Sequence, residues 1–132
     1  MGLLDVFKKK KTTLTPDEKL DRMWAMWANN ELKLPCAKLM TYESEVNNGG
    51  HSQYFFNTAN CGNLAAEVEA VLPMLPEPLR ENLSRGYVAF AAQKHISDDD
   101  NDALFEECDD VFYDHEQLLI DILYEAAKSL TL

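Results

Sequence analysis

The residues with the most chemical reach stand together in the stretch 46–57, VNNGGHSQYFFN, where His51, Gln53, Tyr54 and Asn57 follow two asparagines and two glycines. A histidine beside a glycine corner can serve as a general base, a metal ligand or the partner of a nucleophilic thiol such as Cys61. Each role needs further groups at particular spacings. His51, His95 and His115 form no HxxxH or HExxH pattern and have no neighbouring cysteine to complete a zinc site. No strand pattern precedes the glycines and no Lys-Ser/Thr pair follows them, so they do not build a phosphate loop. No catalytic residue, cofactor or metal is therefore expected, although an enzyme or metal protein centred on Gly49, Gly50 and His51, with Gln53 and Asn57 beside them, stands as the last of three readings.

The second concentration of chemistry is acidic. Asp98, Asp100 and Asp102 fit the first three ligand positions of an EF-hand loop, but Ala103 stands where the sharp turn needs glycine and Asp109 where a bidentate glutamate belongs. A calcium loop is not expected. Placed on a helix starting near Asp102, the acids Asp102, Glu106, Asp109, Asp110 and Asp114 fall mainly opposite the apolar positions. If residues 98–125 are helical throughout, their acids average about one charge per 3.5 Å, against about 3.4 Å per phosphate along one DNA strand.

The chain-wide charge sharpens this picture. The 132 residues carry 23 acids and 12 bases, a net of -11. Up to residue 97, 11 acids balance 11 bases; beyond it stand 12 acids and one base, Lys128. Such segregation repels nucleic acid and anionic membranes and favours a basic protein partner. The odd number of cysteines, Cys36, Cys61 and Cys108, with no CxxC pair, fits reduced thiols and a cytoplasmic location. No apolar run is long enough to span a membrane, and MGLLDVFKKKK places its charges after its apolar residues, the reverse of a signal peptide.

The elements that position these groups read as helices throughout. Residues 1–14 are expected to form a flexible basic arm carrying Lys8 to Lys11, and residues 15–132 a single domain. Thr15-Pro16-Asp17-Glu18 has the pattern of a capping box, leading into Leu20, Met23, Trp24 and Trp27 at helical spacing. A second helix should run from about 35 to 46. Asn47 and Asn48 should close it, Gly49 or Gly50 reverse the chain, and Ser52 cap a short third helix, with Gln53 and Asn57 bonding backbone groups left open by the turn. Asn63 caps a fourth helix and a fifth runs from about 78 to 94, in which Gly86 permits close approach of a neighbour. The apolar pattern from 101 to 130 would make a helix of about 43 Å, longer than a domain of this size is wide, so a break near Asp114 is expected. The expectation is an all-α single compact helical domain of six or seven helices.

The stretch EVNNGGHSQYFFN resembles the signature of a bacterial DNA-mimic protein domain family, through Glu45, Val46, Asn48, Gly49, Gly50, Gln53, Tyr54, Phe55 and Asn57. The later FEECDDVFYDHEQLLIDILYEAA is similar to that family's acidic C-terminal helices. The resemblance implies an all-helical, acidic, cytoplasmic and non-catalytic protein that occupies the DNA-binding surface of a transcription factor and can form a homodimer. On that reading Asp98, Asp99, Asp100, Asp102, Glu106, Asp109, Asp110 and Asp114 bind a basic DNA-binding protein and exclude DNA, while the glycine motif is architecture. The alternative is an immunity-type protein that neutralises a cognate toxin through the same acids.

Overall fold

In the computed structural model, which describes residues 13–93 and 101–130, helix α1 (Pro16–Ala28) begins as its first four residues dictate. The Thr15 hydroxyl accepts from the Glu18 N–H at 3.2 Å and the Glu18 carboxylate accepts from the Thr15 N–H at 3.0 Å. That reciprocal pair satisfies two donors which the first turn would otherwise leave open. It also holds the Glu18 carboxyl below its ordinary value, the Thr15 N–H being the largest cause. Helix α2 spans Cys36–Cys61, α3 Leu64–Val71, followed by a 3-10 turn at Leu72–Met74, then α4 Leu79–Ala91 and α5 Asp102–Lys128. The described residues contain no strand and form one all-α domain. Asn63 caps α3 as its sequence implies, accepting from the Ala66 N–H at 3.2 Å.

Five α-helices are present among the described residues, where six or seven were expected. One difference is α5, which runs through Asp114 without a break for 27 residues, about 40 Å. No glycine or proline interrupts it, and Phe105, Cys108, Phe112, Leu119, Leu123 and Ala127 keep one buried face from end to end. Instead of capping a new helix, Asp114 is exposed, and Gln117 donates to Asp121. The length is accommodated because three helices share it: α4, α2 and α1 all pack on α5. At its far end Lys19 of α1 donates to the carbonyl oxygens of Leu130 (2.9 Å) and Lys128 (3.4 Å), closing the C-terminal turn with a cation as the helix dipole favours.

The other difference is the corner. Residues 36–48 and 51–61 form one element joined by a sharp elbow at Gly49 (φ -156°, ψ 19°) and Gly50 (φ 78°, ψ -177°). An uninterrupted helix would hold Tyr42 and Tyr54 about 18 Å apart, yet their ring centroids lie 5.0 Å apart. The reversal anticipated at these glycines is therefore real. Around it an aromatic cluster of Tyr42, Tyr54, Phe55 and Phe112 forms the centre of the core.

Gly86 of α4 is the close-approach position foreseen from its place on that helix. A methyl group there would stand 3.2 Å from two atoms of the Phe55 ring and 3.5 Å from the Cys108 sulfur. Phe55 is fully buried against Tyr87, Phe90 and Phe105, so it has no room to retreat. Gly86→Ala should cost about 1 kcal/mol net, overpacking outweighing the better helix propensity of alanine. Urea unfolding of the two proteins checks this, and a stabilised variant would contradict it.

Candidate functional site

The elbow is held by three polar clasps, and the first reaches across to α5. Asp109 Oδ1 accepts from the His51 backbone N–H and from ring Nδ1, each at 2.7 Å. Its carboxylate thus caps the helical half 51–61, the place for which Ser52 was expected; Ser52 is exposed instead. With Nδ1 donating to the carboxylate, Nε2 is left to accept from the Tyr42 hydroxyl at 2.7 Å. The chain Asp109–His51–Tyr42 has the connectivity of an acid–base relay. Yet His51 and Tyr42 are both fully buried, and burial pushes the Tyr42 hydroxyl well above its ordinary range. Solvent meets this chain of bonds at Asp109, whose side chain is partly exposed.

The second clasp explains much of the polar part of the glycine motif. Glu45 Oε2 accepts from Gln53 Nε2 at 2.9 Å and from Asn57 Nδ2 at 3.0 Å, tying the two halves of α2 together. These amides bond a carboxylate and not the open backbone groups anticipated for them. Tyr54 and Phe55 are core residues, Gly49 and Gly50 are the elbow, and Asn48 is exposed. A cleft of about 280 Å³ is lined by Glu45, Asn57, Cys61 and Glu67 among others, but His51 does not line it.

The third clasp was not anticipated from the sequence. Asn47 Nδ2 donates to the Glu43 carbonyl (2.9 Å), Glu43 Oε1 (2.9 Å) and Glu116 Oε2 (2.7 Å). Asn47 and Asn48 were expected to close the first helical half, but both stay helical and the break comes at Gly49 and Gly50. The carboxyl of Glu43 is driven up to about 8, first by burial and then by Glu116, against a smaller opposing effect of Asn47.

What remains exposed is a row of carboxylates along α5. Asp102, Glu106, Asp110 and Asp114 follow each other every fourth residue on the face opposite the core. Beyond Gln117 the row continues with exposed Asp121 and Glu125, giving a ladder about 35 Å long. Asp109 leaves that row, because its carboxylate is engaged at the elbow and its side chain is only 24% exposed. Glu116 leaves it too, and Glu107 turns toward Arg85 at 3.7 Å. Asp98, Asp99 and Asp100 lie outside the described residues, as do Lys8 to Lys11 and His95. The ladder carries about one charge per 6 Å, sparser than the count of every acid suggested. Asp121 and Glu125 join the ladder because α5 continues through Asp114 without a break. Their signal was present in the three- and four-residue steps from 114 to 125.

Among the described residues no group of three or more His, Cys, Asp or Glu side chains is arranged to hold a metal ion, and no helix is long and apolar enough to cross a membrane. No curated protein and no solved structure matches the chain significantly. A family model described as DMP19-like protein matches residues 36–129, from the first residue of α2 to one residue past the end of α5. The elbow, its clasps and the acid ladder all fall inside the match, and the chain belongs to the DMP19-like protein family.

Proposed function

We propose that the protein is a non-catalytic acidic binding protein whose α5 ladder occupies the DNA-binding surface of a basic nucleic-acid-binding protein and thereby excludes DNA. The observation that carries this reading is the unbroken helix face bearing Asp102, Glu106, Asp110, Asp114, Asp121 and Glu125, where Lys128 pairs with Glu125 at 3.3 Å. A rigid helix held from behind by three others presents charge without first having to order it, which lowers the entropic cost of association. Carboxylates at this spacing create a sustained negative potential that steers a basic partner and weakens as salt is added. Membership of the DMP19-like family supports the reading, since the clasps that fix α5 lie within the matched region.

The test is reversal of the ladder. Changing Asp102, Glu106, Asp110 and Asp114 together to lysine should weaken partner binding about a hundredfold or more, taking roughly 0.7 kcal/mol for each lost surface attraction. Helical content should be unchanged, because all four side chains are exposed and none of them bonds another element among the described residues. Affinity equal to that of the parent protein would remove the basis of the proposal. Binding that ladder reversal abolishes but duplex DNA cannot compete away would instead favour an immunity-type protein that neutralises a toxin through the same acids.

A further inference from the structure

The clasp between Glu43 and Glu116 performs no task in the proposed binding, yet it is an unusual thing to build into a core. Glu43 is 7% exposed, and its Oε2 is buried without a hydrogen-bond partner. The Asn47 amide already serves Glu43 Oε1 and Glu116 Oε2. Two carboxylates gripped by one amide, one of them buried, cannot both stay charged at small cost. A proton placed on Glu43 Oε2 removes the difficulty, turning an orphan acceptor into a donor toward Glu116. Glu43 and Glu116 both act on Tyr113 of α5, as Asp109 does, and Glu43 acts on Tyr42 of α2 together with Asp109, Tyr54 and Cys108, all of them acids. Among the described residues Glu116 and Asn47 shift Glu43, and no lysine or arginine does.

We propose that Glu43 and Glu116 share one proton that clamps the elbow of α2 onto the middle of α5, and that rising pH releases this clamp and loosens the helix carrying the acid ladder.

The sign follows from where the proton sits. In the closed clamp Glu43 keeps its proton up to about pH 8, whereas in an opened segment it returns toward its ordinary value of 4.5. The clamp contributes fully below the lower value and is lost progressively as pH rises toward the upper one. One proton taken up on closing makes the slope approach tenfold per pH unit within that window.

Native-state amide exchange across residues 43–51 and 113–117, corrected for the intrinsic dependence of exchange on pH, reads this directly. Protection in the parent protein should fall across the window toward the tenfold slope, and Glu43→Gln, which carries the donor permanently, should show none. Glu116→Gln provides a second route, because it also ends proton sharing without depending on the fold of the first variant. Carbon-13 labelling of the glutamate carboxyls should show one that titrates near pH 8 in the parent and is absent in Glu43→Gln. Flat protection in the parent, a slope that survives both substitutions, or carboxyls that all titrate in the ordinary acidic range would each overturn the proposal.

Discussion

Gly50→Ala is expected to destabilise the domain by about 3–6 kcal/mol, a large part of the total stability of a protein this size. Two costs combine. With φ at 78° and ψ at -177° the backbone sits in a region open essentially to glycine alone, where an L side chain costs about 1–3 kcal/mol. The new methyl group would also collide with the Asp109 carboxylate, standing 3.0 Å from Cγ and closer still to Oδ2. That carboxylate is not a free end that can swing aside, because it accepts both His51 bonds. Displacing it leaves buried donors unpaired, at about 1–3 kcal/mol each. Gly49→Ala is the control. Its φ of -156° carries no left-handed strain, but its methyl group would stand 2.6–2.8 Å from Gln53 Cδ and Cβ, so Gln53 must shift and the Glu45 clasp is lost with it. Urea unfolding should rank Gly50→Ala well below Gly49→Ala, and equal effects would show that the elbow is not held as described.

The second large effect separates two neighbouring acids. Asp109→Ala should cost about 2–4 kcal/mol, because it strands the His51 backbone N–H and ring Nδ1 inside the core. Asp110→Ala, one residue along and exposed, should change stability by no more than about 0.5 kcal/mol. In partner binding the order reverses: at conditions where both proteins are folded, the Asp110 variant should lose affinity through its missing carboxylate. Thermal unfolding paired with a titration of the same two variants checks both halves. If Asp109→Ala proved as stable as Asp110→Ala, its carboxylate would belong to the surface after all.

That contrast shows where sequence reading stops. Thr15 to Glu18, Asn63, Gly86 and the glycine pair all act through neighbours a few residues away or through a missing side chain, so their roles follow from local chemistry. Asp109 and Glu116 act through residues 58 and 69 positions distant, and no local rule places them there. A weak sign existed, since Asp109 sits between Phe105 and Phe112 and Glu116 between Phe112 and Leu119, at the margin of the apolar stripe. An acid at such a margin is as compatible with solvent as with a buried donor. The unbroken α5 was hidden for a different reason: size alone suggested that a helix of 27 residues would overhang the domain. Three helices stacked along it make it the axis of the domain instead. The ladder is legible only once that continuity is known, because Asp121 and Glu125 align with Asp110 and Asp114 on a single helix and on no other arrangement.

The most direct test of the binding role is competitive elution. The protein is immobilised beside its ladder-reversed variant, exposed to a lysate of the cell that makes it, and eluted with short duplex DNA. The account predicts that a basic DNA-binding protein is retained by the parent, is released by the duplex and is not retained by the variant. A partner that the duplex cannot displace, or one held equally by both columns, would contradict it.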